Sequence, residues 1–135
     1  IHPQQVVAST TPTAPAPTAD VTVTLADYSF TVAGKLTPGK HTIKIVNNGK
    51  QDHEIEIVRL NPGKTSKDLL AWMGKPEGPP PGNALGGVAG MVKGSTAYVT
   101  VDMPAGDYGF ICFLSDVKDQ QPHFAHGMMK DFKVQ

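Results

Sequence analysis

The sequence predicts an all-β fold, a Greek-key β-sandwich with one short helix and a long Gly/Pro-rich loop. Apolar and polar residues alternate with a period of two in most of the chain after residue 20. Turn residues divide this pattern into about seven short runs, which is typical of a sandwich. A single stretch, residues 65–73, has apolar residues at helical rather than alternating spacing.

The first predicted strands lie before residue 47. Val21, Val23 and Leu25 alternate with threonines, and residues 28–32 alternate again. Residues 36–40 contain a Pro-Gly pair and predict a turn. Residues 41–46 then predict the next strand.

A strand and a helix are predicted in the middle of the chain. Residues 53–60 alternate, with Ile55 and Ile57 on the face opposite Glu54 and Glu56. An Asn-Pro-Gly turn ends this strand. Residues 65–73 predict a short helix, which a Thr or Ser at its start can cap.

The last part of the chain combines a loop with three strands. Residues 74–90 are rich in Gly and Pro and are expected to form a long loop. Further strands are expected at residues 95–101, 107–114 and 129–134.

Composition predicts two regions. Residues 1–20 are expected to be an extended N-terminal tether, because the Pro/Thr/Ala-rich tract within them has too little apolar bulk to pack. An untidy terminus without a role is the alternative. Residues 21–135 suffice for a single domain with its own core.

Charge and hydropathy exclude several classes of partner. The chain has 12 Lys and Arg and 12 Asp and Glu, so its zero net charge argues against nucleic-acid or anionic-membrane binding. No apolar run is long enough to span a bilayer, so any tethering is expected through the N-terminal segment. The first residue is Ile1, which is compatible with a cleaved export signal. We therefore expect an exported protein that is periplasmic, extracellular or membrane-associated.

The sequence does not predict an enzyme. It contains no Ser-His-Asp order, no phosphate-binding loop and no repeated pair of carboxylates. Asp116, Asp119 and Asp131 are scattered among lysines and are interpreted as solvated charge. His2 and His41 are expected to be solvent-exposed or turn residues.

Four side chains nevertheless form an unusual set of possible metal ligands, namely His53, Cys112, His123 and Met128. Two imidazoles and a thiolate with a weak axial thioether are the ligands of electron-transfer copper sites. Structural zinc prefers four strong ligands, and calcium and magnesium prefer oxygen. If the four converge, they predict a site for one copper ion.

Each of these residues has a simpler interpretation. Cys112 is the only cysteine, so it forms no internal disulfide, and a buried structural thiol is the alternative to a ligand. Met128 could belong to the core. His126 lies two residues before Met128, a tight span for both to reach one ion, so we assign His123 as the ligand. His126 is then a surface group or an outer support of the site.

Three stretches of the chain resemble a known family. Residues 36–49 read LTPGKHTIKIVNNG and precede His53, residues 104–112 read PAGDYGFIC, and residues 122–128 read PHFAHGM. In this order they resemble the cupredoxins, the type 1 blue-copper family of plastocyanin- and azurin-like proteins. The resemblance covers nearly all of residues 21–134.

The resemblance implies a function. It implies that His53, Cys112, His123 and Met128 hold one type 1 copper ion, which carries single electrons between partner proteins. Such partners are cytochromes or membrane-bound electron-transfer complexes. It also implies an apolar ring around His123 where partners dock, for which Phe124, Ala125 and residues 79–81 are the candidates.

Two departures from the family pattern leave other functions open. The segment between Cys112 and His123 is longer than in plastocyanin or azurin. Glu54 follows the first histidine, where those proteins carry an asparagine that braces the ligand loop. A copper-handling protein, such as a chaperone or tolerance factor, is therefore one alternative. A metal-free cupredoxin-like interaction module is another.

Overall fold

The chain folds into two β-sheets that pack face to face. The computed structural model describes residues 6–8 and 17–135. Within them lie nine strands, one α-helix and one 3₁₀ turn: β1 (Val6–Ala8), β2 (Val21–Ala26), β3 (Ser29–Ala33), β4 (Gly39–Asn47), β5 (His53–Leu60), α1 (Ser66–Gly74), β6 (Gly82–Met91), β7 (Thr96–Met103), β8 (Gly106–Ile111), the 3₁₀ turn (His123–His126) and β9 (Met129–Val134).

The nine described strands are divided between a five-stranded and a four-stranded sheet. One sheet has the order β1-β7-β4-β2-β3, in which β2 and β4 are parallel and the other neighbours are antiparallel. The second sheet has the order β6-β5-β8-β9, and all its neighbours are antiparallel. The chain changes sheet between β4 and β5, between β6 and β7 and between β7 and β8, as a sandwich requires.

The predicted alternation fills the space between the sheets. In β2 and β4 every second residue is buried, and β5 contributes Ile55 and Ile57 from the opposite sheet. The main core includes Val21, Val23, Leu25, Phe30, Ile43, Ile45, Val99, Val101, Tyr108 and Phe110. Because these residues come from both sheets, the core fixes the ends of the strands relative to one another.

Helix α1 covers the outer face of the second sheet. Leu69 of α1 packs with Val58, Leu60 and Ile111 in a second apolar cluster. Thr65 caps the helix in a capping box with Asp68, as the sequence predicted for this segment. In the second half of β5, Ile57 is therefore buried in the main core, Val58 and Leu60 are buried beneath α1, and Arg59 is exposed.

The long loop expected at residues 74–90 is only partly a loop. Its second half is β6, which pairs with β5 through two register irregularities. At Gly87 an added Cβ would lie 2.0 Å from the carbonyl oxygen of Ile55. The glycines that suggested a loop are needed here because the two backbones approach closely.

The predicted N-terminal tether, residues 1–20, lies mostly outside the described residues. Val6–Ala8 forms β1 and pairs with residues 97–99 of β7. The tether therefore stays a prediction. Among the helices of the described chain, none is long and apolar enough to cross a membrane.

Candidate metal centre

Three of the predicted ligands meet at one end of the sandwich. His53 is the first residue of β5, Cys112 directly follows β8, and His123 begins the 3₁₀ turn. Because β5 and β8 are antiparallel neighbours, the start of one lies beside the end of the other. The ligand atoms of the three side chains all lie within 4.8 Å of one another, and all three residues are fully buried.

Met128 is tied to the same group through the backbone. The N–H of Cys112 donates to the carbonyl oxygen of Met128 at 3.2 Å, and the N–H of Met128 donates to that of His123 at 3.1 Å. Met128 is fully buried and belongs to the main core. These bonds hold three of the four predicted ligands in one compact loop.

Hydrogen bonds set the orientation of both histidine rings. Nε2 of His53 lies 2.5 Å from Oδ1 of Asp27, and Nε2 of His123 lies 2.9 Å from Oε1 of Gln51. Both oxygens are acceptors, so each Nε2 carries the ring proton. In the neutral ring each Nδ1 is then an acceptor, and it faces the other side chains of the group.

The resulting donor set fits a metal ion. The two Nδ1 atoms are 3.1 Å apart, and Sγ of Cys112 lies 3.4 Å from Nδ1 of His123. Two lone pairs that face each other at this distance need a cation or a proton between them. Metal–nitrogen bonds of about 2.0–2.1 Å, as in zinc sites, place two nitrogens of one ion roughly 3–4 Å apart. Two imidazoles and a thiol are also the donors that copper favours.

Glu54 braces the cysteine. Its N–H donates to Sγ of Cys112 at 3.4 Å, and its Oε1 accepts from the N–H of Phe113 at 3.0 Å. Glu54 therefore connects the start of β5 with the residue after Cys112. Glu54 thus makes a bracing contact in the position where, by the family resemblance, plastocyanin- and azurin-like proteins carry an asparagine.

Burial shifts the pKa values of the thiol and of one imidazole. Removal from water raises the pKa of the Cys112 thiol to about 11, although the N–H of Glu54 opposes the shift. Burial and the nearby His53 lower the pKa of His123. In the metal-free protein at neutral pH the thiol is therefore protonated and His123 is neutral.

A polar cover lies over the outer edge of His123. Gln51, whose Oε1 accepts from His123, donates through Nε2 to Oδ1 of Asp116 at 2.8 Å. Tyr28 donates its hydroxyl to the same Oδ1 at 2.6 Å. Asp116 is 1% exposed, so the prediction of solvated charge was wrong at this position. The Tyr28 hydrogen bond lowers the pKa of Asp116, although burial opposes the shift.

His126 does not join the group of buried ligands. It lies in an exposed position, with Nε2 2.9 Å from Oδ2 of Asp119. Its ring stacks on Tyr28, with 4.8 Å between the ring centroids. Tyr28 also contacts His123, at 5.6 Å between centroids, so this tyrosine touches both histidine rings.

The residues expected to form an apolar ring around His123 lie in different parts of the structure. Phe124 packs edge-on against Phe113 in the cluster beneath α1, with 5.7 Å between the ring centroids. The carbonyl oxygens of Pro80 and Pro81 accept hydrogen bonds from Asn61. That residue follows the far end of β5, about 26 Å from His53 by the strand rise. Residues 79–81 were therefore wrongly expected beside His123.

No sequence pattern predicted that Asp27, Gln51 and Tyr28 contact the histidine rings. Asp27 lies in the turn between β2 and β3, and Gln51 lies in the turn before β5. Tyr28 follows Asp27, and the alternating pattern predicted only that it belongs to a strand. These contacts depend on how two turns meet at the end of the sandwich, which no local pattern reveals.

Comparison with solved structures identifies the fold. The dithionite-reduced auracyanin of the photosynthetic bacterium Roseiflexus castenholzii is 19% identical to this chain, with a TM-score of 0.55 over 84% of this chain and 94% of the other. Auracyanin B is 18% identical, with a TM-score of 0.51 over 90% of this chain and 93% of the other. Both are cupredoxins, so the predicted cupredoxin-like β-sandwich is confirmed. No family model and no curated protein matches the chain in sequence.

Proposed function

We propose that this protein is an electron carrier that uses one type 1 copper ion held by His53, Cys112, His123 and Met128. One observation carries the proposal. Two imidazole Nδ1 atoms and a thiol sulfur converge in a fully buried position at the end of the sandwich. This is the donor set of electron-transfer copper sites.

The protein's own residues would hold the copper ion in one geometry. Copper, when bound, would supply one-electron chemistry between Cu(I) and Cu(II). His53 and His123 keep their Nδ1 atoms fixed through Asp27 and Gln51. Glu54 holds the sulfur of Cys112 with its N–H. A site held in one geometry for both oxidation states needs little rearrangement when an electron moves.

Burial of the site favours a carrier over a copper-handling protein. A protein that passes its copper to another must expose ligands to the recipient. His53, Cys112 and His123 are each fully buried. We propose partner proteins of the cytochrome or membrane-bound electron-transfer class, and an exported location, as the family resemblance implies.

Addition of Cu(II) to the metal-free protein tests the proposal. We expect uptake of one copper ion per chain with an intense thiolate-to-copper band in the visible spectrum, which Cys112→Ser abolishes. Met128→Leu should change the position of the band. As its matched control, Met73→Leu replaces a half-exposed methionine on α1 and should leave the spectrum unchanged.

The same titration separates the alternatives. A protein that takes up no copper and stays colourless would support the metal-free interaction module. A protein that takes up copper without the intense band, or transfers it readily to a competing chelator in either oxidation state, would support a copper-handling function.

A further inference from the structure

The contact between Asp27 and His53 extends the proposed function. His53 is fully buried, and its Nε2 lies 2.5 Å from Oδ1 of Asp27, whose side chain is 21% exposed. The carboxylate can only accept, so the ring must donate its Nε2 proton. This leaves Nδ1 free to face Cys112 and His123.

Asp27 is itself held in place. The N–H of Lys50 donates to its Oδ1 at 3.2 Å, so the carboxylate links the β2–β3 turn to the turn before β5. Two donors, one from a ring and one from the backbone, therefore fix one oxygen atom. A carboxylate fixed in this way can orient the ring of His53.

Gly49 provides the space that this contact needs. A Cβ on Gly49 would lie 2.5 Å from Nε2 of His53 and 2.6 Å from Oδ1 of Asp27, too close for either atom to stay. Gly49 is also buried, and its N–H donates to Oδ1 of Asn47 at 2.9 Å. A side chain at this position would therefore separate the carboxylate from the ring.

We propose that Asp27 is a positioning residue of the copper centre, which orients His53 and stabilises Cu(II) relative to Cu(I). The proposal rests on the proposed copper-binding function. A carboxylate on the outer nitrogen of a ligand histidine fixes its tautomer and increases its basicity. Its negative charge also favours the more highly charged metal ion. Asp27 therefore lowers the reduction potential of the site.

Asp20 and His41 offer a matched control. Nδ1 of His41 lies 2.6 Å from Oδ2 of Asp20. His41 is only 5% exposed and lies within β4, so the prediction that it is a solvent-exposed or turn residue was wrong. His41 lies six residues before Asn47 on β4, which is about 20 Å along the strand. Asp20→Asn thus disturbs a similar pair far from the metal centre.

The first test uses the metal-free protein and nitrogen NMR of its histidine rings. In the wild-type protein we expect His53 to carry its proton on Nε2. Asp27→Ala and Gly49→Ala should convert part of the population to the Nδ1 tautomer, and Asp20→Asn should not. An unchanged His53 tautomer in both variants would overturn the orienting role, whether or not the protein binds copper.

The second test uses the copper-loaded protein. Asp27→Ala should weaken Cu(II) binding roughly ten- to a hundredfold and raise the reduction potential. Asp27→Asn keeps an acceptor oxygen without the charge, so it should restore much of the affinity and still raise the potential. Equal potentials in wild type and Asp27→Asn would overturn the electrostatic role. Failure of wild type itself to bind copper would instead refute the proposed function and leave the NMR result valid.

Discussion

At the residue scale, the two histidines of the PHFAHGM stretch differ sharply. His123 faces Cys112 and His53 from a fully buried position, and His126 pairs with Asp119 at the surface. We predict that His123→Ala abolishes the intense copper band and that His126→Ala, the matched control, leaves it largely intact. The visible spectra of both variants after addition of Cu(II) check this prediction. Loss of the band only in His126→Ala would show that the assignment is reversed.

The thiol of Cys112 gives a second prediction at this scale. Its pKa is raised from an ordinary value of 9.0 to about 11, mainly by burial. The folded metal-free protein therefore holds the thiol proton more tightly than the unfolded chain does. The resulting stabilisation is present below pH 9 and is lost as the pH rises toward 11.

Thiolate absorbance of the metal-free protein measures this shift directly. We expect a midpoint near pH 11 in the folded protein and near 9 in denaturant. At neutral pH, copper binding should then release the thiol proton to the solvent. A midpoint near 9 in the folded protein would mean that Cys112 is exposed to water or beside a positive charge.

At the element scale, β6 depends on glycine where it passes β5. Gly87→Ala would place a Cβ 2.0 Å from the carbonyl oxygen of Ile55, two residues from His53 in β5. We expect a loss of about 1–3 kcal/mol in the free energy of unfolding, because the two strands must separate. Gly74→Ala at the end of α1 meets no atom within 4 Å and serves as the control. Denaturant unfolding of both variants measures the two free energies of unfolding. Equal values for Gly87→Ala and Gly74→Ala would contradict the prediction.

Helix α1 gives the other prediction at this scale. Leu69 is 7% exposed and packs on the outer face of β5 and β8. Leu69→Ala should lower the free energy of unfolding by about 2–5 kcal/mol, because it leaves a cavity beneath the helix. Since this cluster lies on the face away from the main core, the copper spectrum should not change. A spectrum that changes with Leu69→Ala would show that α1 helps to shape the site.

The same elements show what the sequence can predict. Alternation identified β2, β4 and β5 with nearly their observed bounds, because β2, β4 and the first half of β5 bury every second residue in the main core. It did not identify β6, because its glycines lack side chains to show a pattern. The apolar spacing of α1 and its capping residue Thr65 identified that helix, since both are local features of the sequence.

At the scale of the whole molecule, the candidate site was predictable only in part. His53, Cys112 and His123 could be named because the spacing within the last loop and the start of β5 are sequence features. The residues that surround these three could not be predicted from the sequence. Asp27 contacts His53, and Gln51 contacts His123, from turns that are distant in sequence from their partners, and only the tertiary fold brings them together.

Reversible one-electron cycling on an electrode tests the central claim most directly. A single copper held by buried ligands in one geometry should give one reversible wave in the copper-loaded protein. The copper content should be unchanged after many cycles, and Cys112→Ser should give no such wave. Loss of copper on reduction, or the absence of a wave from a protein that has bound one copper ion, would contradict the assignment as an electron carrier.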